Sequence, residues 1–104
     1  MLKFNDHYEK RTHRILEMYH VLKAEYDETT SQTLLAVMGD VNKAINDADL
    51  TEVQAECLRL YYFGGYTLEE IADLRDVKKQ SVQQAVRTAI KKVADVLREW
   101  KYWN

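Results

Sequence analysis

The sequence predicts an all-α protein, a helical bundle that ends in one long helix. Its 104 residues contain no proline and only three glycines, so little in the chain interrupts a helix. Apolar residues recur every three or four positions, which is the spacing of helices that bury one face. A chain of this length forms a single domain with a modest core. We therefore expect five helices packed as one unit.

Two helices are predicted in residues 1–49, an N-terminal helical pair with a role in packing or oligomerisation. The first runs from about Asp6 to Tyr26, and after a polar break Ser31 is placed to cap the second. The predicted buried residues are Phe4, Tyr8, Ile15, Met18 and Leu22 in the first helix, and Leu34, Val37, Met38, Val41 and Ile45 in the second. No linker rich in glycine or proline separates this pair from residues 50–104, so both regions should share one core.

The second half carries stronger local signals. Thr51 with Gln54, and Thr67 with Glu70, form two capping boxes, in which the hydroxyl and the side chain three residues later satisfy backbone amides at a helix start. The third helix should stop at Gly64-Gly65. The predicted buried residues are Val53, Cys57, Leu58, Leu60 and Tyr61 in the third helix, and Leu68, Ile71, Ala72 and Leu74 in the fourth.

A long last helix is predicted from about Lys79 to Trp100, after a turn at residues 75–77. Its apolar residues keep a four-three spacing over three heptads: Val82, Val86, Ala89, Val93, Val96, Trp100 and Trp103. Such a stripe extends beyond what a short recognition helix needs for its own packing. Its C-terminal part, the seam of Val93, Val96, Trp100 and Trp103, either packs on the first helix of the same chain or forms a homodimer with a second copy.

Charge is unevenly distributed along the chain. The formal net charge is −2, yet residues 75–92 contain six basic residues against the single acidic Asp76. Binding to nucleic acid depends on the local field at the contact face, although a basic stripe alone also suits a solvated helix. This stripe follows a short helix and a turn, which is the arrangement that places side chains in a DNA major groove. The sequence therefore predicts double-stranded DNA as a partner.

Residues 50–93 resemble region 4 of sigma-70-type transcription initiation factors and the related small helix-turn-helix proteins of phages. The matching positions are Leu50, Thr51, Leu58, Leu60, Tyr62, Phe63, Glu69, Glu70, Ile71, Ala72, Val77, Val82, Ala89, Ile90 and Lys92. The resemblance implies a helix-turn-helix in residues 50–104. It implies the fold more specifically than the role, because a fold does not by itself assign a function.

Two positions depart from the pattern of that family. Asp76 stands where a glycine is usual at the turn, and Lys78 stands where a serine or threonine usually caps the recognition helix. Aspartate tolerates a left-handed backbone better than most residues, so the turn should still form. A lysine cannot accept an amide hydrogen bond, and the cap must come from elsewhere, with Asp76 as the candidate.

The resemblance implies that the start of the last helix contacts DNA. The outward residues of its early turns, which would meet base edges, are Lys79, Gln80, Gln83, Gln84 and Arg87. Glutamine can pair two ways with adenine, and lysine or arginine with guanine. Lys78, Lys91 and Lys92 are predicted to bind backbone phosphates, which sets register and affinity without reading sequence.

The sequence contains no constellation typical of catalysis or of cofactor binding. It has no Ser/His/Asp set, phosphate-binding loop or acidic pair at catalytic spacing, so we expect neither an enzyme nor a cofactor. His13, Glu17 and His20 share a helix face, but without a second cluster they do not predict a metal site. The lone Cys57 is expected to be a small buried hydrophobe. No apolar run is long enough to span a bilayer and no signal peptide is evident, so we expect a cytoplasmic protein without membrane contact.

These features favour a sequence-specific DNA-binding transcriptional regulator, similar to phage-encoded activators of the ArpU type, that reads the major groove with the helix starting near Lys79. RNA polymerase is a further candidate partner, through the acidic first half. Three alternatives remain open. They are a phage small-terminase-like packaging subunit, a sigma-like protein-interaction adaptor such as the accessory protein of the signal recognition particle pathway, and a half sigma factor that needs a second chain.

Overall fold

A computed structural model describes residues 2–18 and 32–103 of the chain, and within these ranges every regular element is helical. The elements are α1 (His7–Glu17), α2 (Gln32–Asp47), α3 (Glu52–Leu58) with a π-helical continuation (Arg59–Phe63), α4 (Leu68–Arg75) and α5 (Lys79–Glu99). The predicted all-α bundle with a long last helix is confirmed. No helix of the described ranges is long and apolar enough to cross a membrane.

The start of α1 follows the prediction. Asp6 is its N-cap, and the Asp6 Oδ1 atom accepts hydrogen bonds from the amides of Tyr8 (2.8 Å) and Glu9 (3.2 Å). The predicted end of this helix at Tyr26, the polar break and the Ser31 cap lie outside the described residues. So do Leu22 and the side chain of Leu34.

The buried face of α1 contains two residues that the apolar pattern missed. Leu16 and Thr12 are both fully buried, whereas Tyr8 and Ile15 are only half-buried. The Thr12 hydroxyl donates to the Tyr8 carbonyl oxygen at 2.7 Å, so its polar group is satisfied without water. A threonine can therefore occupy a position in the core that an apolar count leaves empty.

The long helix α5 is the centre of the bundle, since it packs against all four of the other helices. One hydrophobic cluster includes Leu16 of α1, Val41 of α2, Leu58 of α3 and Ile71 of α4. The α5 residues of this cluster are Val82, Val86, Ala89, Ile90, Val93 and Leu97. The two halves of the chain thus share one core, as the lack of a linker predicted.

The four-three stripe of α5 does not stay buried along its whole length. Val96 is half-buried and Trp100 is 42% exposed, while Leu97, which lies outside the predicted stripe, is fully buried. An α-helix has 3.6 residues per turn, so a strict 3.5-residue repeat rotates away from a straight contact line by about 20° per heptad. Over three heptads this drift moves the seam to one side and brings Leu97 inward.

The residues after α5 turn back onto the bundle. Lys101 adopts a left-handed conformation (φ 54°), and the amides of Lys101 and Tyr102 donate to the carbonyls of Arg98 and Leu97, both at 3.0 Å. The Tyr102 hydroxyl then donates to Asp40 of α2 at 2.6 Å. This reversal closes the C-terminal segment over the N-terminal helices.

Trp103 completes this closure against α1. Its ring lies 5.6 Å from the ring of Tyr8, whose hydroxyl donates to the Trp103 carbonyl oxygen. Trp103 of the predicted seam therefore packs on the first helix of the same chain. A homodimer stays a prediction, and Trp100 is the seam residue left exposed to form one.

In α3 and its π-helical continuation, the buried face differs from the predicted one by one residue. Cys57 and Leu58 are buried as predicted, but the next buried residue is Tyr62 and not Tyr61. The Gly64 amide bonds the Arg59 carbonyl at 2.8 Å, an i to i+5 bond that adds one residue to the turn. That extra residue places position 62, five after Cys57, on the inner face.

Two residues predicted to be buried are exposed. Val53 lies in the first turn of α3, at the edge of the bundle, and is 45% exposed. Leu74 is 63% exposed because α4 buries the stripe of Leu68, Ile71 and Ala72, which points away from position 74.

Candidate nucleic-acid interface

A left-handed residue joins α4 to α5. Asp76 has φ 53° and ψ 48°, and the amides of Asp76 and Val77 donate to the carbonyls of Asp73 (3.3 Å) and Ala72 (3.0 Å). This pair of bonds ends α4 and reverses the chain within three residues. The expectation that aspartate would serve at this turn in place of glycine is confirmed.

The helix start at Lys78 lacks a side-chain cap. Lys78 is extended (φ −80°, ψ 148°), and no side chain, that of Asp76 included, accepts a hydrogen bond from the first turn of α5. The Lys78 carbonyl still accepts from the amides of Ser81 (3.0 Å) and Val82 (3.3 Å), which starts the helix. The earlier first-turn amides therefore have no protein cap, unlike those of α3 and α4, where both predicted capping boxes are formed.

Two ion pairs hold α4 in place. Lys79 Nζ lies 2.6 Å from Glu69 Oε1, joining the start of α5 to the start of α4. The hydrogen bond from Lys79 also holds the pKa of the Glu69 carboxyl below its usual value. At the other end of α4, Arg75 Nη1 lies 2.6 Å from Glu56 Oε1 of α3. Each end of α4 therefore forms an ion pair with a neighbouring helix.

The five predicted base-contacting residues separate into two groups. Gln80, Gln84 and Arg87 are exposed and recur at four-three spacing on one face of α5. Lys79 carries the ion pair to α4, and Gln83, one turn later on the same flank, is half-buried. Contact with bases by any of the five stays a prediction, but the structure brings only the first group together on an outward face.

Sequence reasoning passed over Ser81 and Thr88, which also face outward. Ser81 is exposed and Thr88 is half-exposed, on the side of α5 next to Gln84. The prediction counted only amide and basic side chains, although serine and threonine hydroxyls also contact bases and phosphates. Ser81 lies three residues before Gln84 and Thr88 lies four residues after it, and this helical spacing is the signal that could have found them.

The three predicted phosphate-binding lysines also differ in their surroundings. Lys78 and Lys91 are exposed. Lys92 Nζ instead donates to the Asp49 carbonyl oxygen (3.1 Å) and to Gln54 Oε1 (2.9 Å). Lys92 thus links α5 to the capping box of α3, and a phosphate contact by it would require these two bonds to break.

A polar chain joins α1 to the π-helical turn. His13 Nδ1 lies 2.6 Å from the Tyr62 hydroxyl, and His13 Nε2 lies 3.2 Å from Glu17 Oε1. Burial lowers the pKa of His13 and raises that of Tyr62. His13 and Glu17 are thus paired with each other, while His20, the third residue on that helix face, lies outside the described residues.

Cys57 is 1% exposed, as predicted for a small buried hydrophobe. Burial raises the pKa of its thiol, which keeps the sulfur protonated and unreactive.

Comparison with known protein families gives a match that includes the turn at Asp76. A family model described as "Putative helix-turn-helix protein, YlxM / p13 like" matches residues 44–102, which run from the last turn of α2 to Tyr102. The match covers more than half of the chain and all of the elements around Asp76. No curated protein and no solved structure gives a significant match.

Proposed function

Because this chain belongs to the YlxM/p13-like family of helix-turn-helix proteins, we propose that it is a small transcriptional regulator that binds double-stranded DNA with α5 in the major groove. The helix-turn-helix consists of α4, the left-handed turn at Asp76 and the first half of α5. A sequence-specific role and a phage or prophage origin belong to the same proposal, on the strength of the resemblance to phage helix-turn-helix regulators.

One observation carries this proposal, the exposed row of Gln80, Gln84, Arg87 and Lys91 along α5. At 1.5 Å per residue, Gln80 is about 10 Å from Arg87 and about 16 Å from Lys91 along the helix axis. A B-DNA major groove is about 12 Å wide. The first three side chains therefore fit within one groove, and Lys91 lies at the phosphates that border it.

The chemistry of the row suits this placement. Gln80 and Gln84 each carry an amide that can bond two ways to adenine, and the Arg87 guanidinium can bond two ways to guanine. Lys78 and Lys91, at the two ends of the row, are exposed ammonium groups suited to phosphates. Base-reading groups thus lie between phosphate-binding groups, which is the order in which a helix crossing a groove meets them.

Electrostatics limits the number of phosphates that the helix-turn-helix can bind. Arg75 and Lys79 are each bound to a glutamate within the protein, which leaves Lys78, Arg87 and Lys91 exposed. If Lys78 and Lys91 contact one phosphate each while Arg87 reads a base, the logarithm of the binding constant should fall against the logarithm of the salt concentration with a slope of about −2. Affinity should therefore depend on salt without being dominated by it.

Fluorescence anisotropy with DNA from the gene neighbourhood of the protein, across a salt series and with scrambled competitor, tests the proposal. Affinity that falls with salt and keeps a preference for one fragment is expected. Equal affinity for all fragments would show that the protein does not distinguish DNA sequences. Absence of binding even at low salt would overturn the proposal.

A protein-interaction adaptor is the second candidate, and the outer face of α4 favours it. Tyr66, Leu74 and Val77 are 40%, 63% and 45% exposed, although they are large apolar residues. Tyr66 and Leu74 line a shallow groove of about 310 Å³ together with the carboxylates of Glu70 and Asp73. An apolar residue flanked by lysine or arginine would complement this face.

A photo-reactive cross-linker placed at position 74, with position 53 as the matched control, tests the adaptor role. Val53 is also an exposed apolar residue, but it lies on α3. The adaptor role predicts cross-links from position 74 alone, to a segment of a partner that combines basic and apolar residues. Equal cross-linking at both positions would contradict it.

A further inference from the structure

We propose that the N-terminal segment and α5 together form a binding cleft for one DNA backbone phosphate, in which Lys3 acts with Lys91. This inference rests on the proposed DNA-binding function and extends its contact surface to a part of the chain outside the helix-turn-helix. The N-terminal wall of the cleft, within residues 3–9, also lies outside the region that the family model matches.

The walls of the cleft come from distant parts of the sequence. Lys3 and Asn5 lie on one side, and Arg87, Thr88 and Lys91 lie on the other, around a volume of about 390 Å³. All five carry N–H or O–H donors that can bond a phosphate oxygen. A phosphodiester has two unesterified oxygens that share one negative charge, so a few converging donors suffice to hold it.

Lys3 is held in position by its neighbours. Leu2 and Phe4 are 7% and 8% exposed, whereas Lys3 between them is exposed, so side chains alternate inward and outward along this segment. The Phe4 ring also lies 4.9 Å from the ring of His13 on α1. Because the backbone on both sides of Lys3 is anchored, less conformational entropy is lost when its ammonium group binds an anion.

The balance of charge in the cleft favours an anion. Two carboxylates line it, those of Asp6 and Glu9. The Asp6 carboxylate is bound by Arg98 at 2.5 Å and by two backbone amides, so its charge is compensated. Glu9 is the other carboxylate, and it faces the three cations of Lys3, Arg87 and Lys91. The cleft therefore keeps a net positive charge.

The position of the cleft selects a backbone phosphate and not a base. Arg87 and Lys91 are the last members of the exposed row, and Lys91 lies about 16 Å along the helix from Gln80, beyond the width of one groove. Lys3 therefore adds a cation where α5 leaves the groove and meets the sugar-phosphate backbone. Contacts of this kind raise affinity for all sequences alike.

Salt-dependent DNA binding by the full chain tests the cleft, with Lys3→Ala compared with Lys43→Ala. Lys43 is an exposed lysine on α2 that does not line the cleft, so its variant removes the same charge elsewhere. Lys3→Ala should make the salt slope shallower by about 0.9, which corresponds to about an eightfold loss of affinity at 0.1 M salt for every sequence. Lys43→Ala should leave the slope unchanged.

A variant that gains affinity serves as a second test, because misfolding could explain a loss of DNA binding but not a gain. Glu9→Gln removes the opposing carboxylate with little change in shape and should raise affinity by about 1.5- to 5-fold at low salt.

A duplex RNA of matched length and sequence distinguishes the two sources of phosphodiester. The cleft predicts that Lys3→Ala weakens binding to the DNA duplex more than binding to the RNA duplex.

The outcomes separate the two proposals. If the wild-type chain binds DNA and Lys3→Ala behaves like Lys43→Ala, the cleft is wrong and the helix-turn-helix role stands. An equal loss on RNA and DNA would also overturn the assignment to DNA. If the wild-type chain binds no DNA, the proposed function fails and the cleft fails with it.

Discussion

Asp76 and Lys101 are the two residues other than glycine, within the described ranges, whose backbone is left-handed. Each follows a helix and allows two amides to satisfy the last helical carbonyls. The short polar side chain of Asp76 suits this conformation, but a lysine gains nothing from it. The two helices thus end with the same backbone geometry, but aspartate adopts the left-handed conformation more readily than lysine does.

Lys101→Gly should raise the free energy of unfolding by about 1 kcal/mol, because glycine adopts the left-handed conformation without steric cost. Chemical denaturation monitored by circular dichroism measures the change. Lys101→Ala is the control, since it removes the same side chain and keeps the strain. Equal stability of the two variants would show that the backbone conformation is not the cause.

Base-reading and phosphate-binding residues of α5 should respond differently to alanine. Gln84→Ala should relax the preference at one position of the site by about 1–3 kcal/mol, whereas Lys91→Ala should weaken binding to all sequences alike. Lys79→Ala should have the smaller effect on preference, because its ammonium is bound to Glu69. Competition binding with a set of single-base variants measures all three, and identical profiles for Gln84→Ala and Lys91→Ala would contradict the assignment.

At the scale of the elements, glycine is required at the end of the π-helical turn and not within α2. A Cβ atom at Gly64 would lie 2.8 Å from the Leu60 carbonyl oxygen and 2.9 Å from Tyr66 Cδ2, whereas a Cβ atom at Gly39 would meet nothing within 4 Å. The first contact is with backbone, which cannot move without disturbing the turn that positions Tyr62.

Gly64→Ala should therefore lower the free energy of unfolding by about 1–3 kcal/mol, and Gly39→Ala should raise it by up to about 1 kcal/mol through its higher helix propensity. Thermal and denaturant unfolding of the two variants measures both changes. A gain in stability for Gly64→Ala would mean that the turn relaxes more readily than its geometry indicates.

At the scale of the whole molecule, the polar chain of Glu17, His13 and Tyr62 makes stability depend on pH. Burial holds the pKa of His13 below the value of 6.5 that the unfolded chain has. The unfolded state therefore binds a proton more readily than the folded state, and the stabilisation is fully present above pH 6.5 and is lost as the pH falls below it.

Unfolding measured between pH 7.5 and pH 5 should accordingly show a loss of stability that His13→Asn removes. The exposed His7 is the control, and His7→Asn should retain the wild-type profile. A profile of the His13 variant parallel to that of the wild type would assign the pH dependence to another group.

The sequence predicted the features that depend on neighbouring residues. Both capping boxes, the stop at Gly64 and the turn at Asp76 involve hydrogen bonds between residues at most five positions apart. The same local rules placed Gln80, Gln84 and Arg87 on the outside of α5. A local pattern suffices where the interaction itself is local.

Features that depend on packing across the bundle were missed. The burial of Tyr62 follows from one inserted residue in a π-helical turn, and the burial of Leu97 follows from the drift of a heptad pattern on a straight helix. The place of Lys3 beside Lys91 depends on a fold that brings together residues 88 positions apart. The spacing of residues within a single helix does not predict these contacts.

The central helix α5 has consequences for how such a protein can change over time. Its inner positions, among them Val86 and Val93, are buried in the core that every helix shares, whereas the outer positions 80, 84 and 87 are exposed. Substitutions on the outer side alter the surface without a cost in folding. Selection can therefore explore new recognition properties on one side of this helix while the opposite side preserves the architecture.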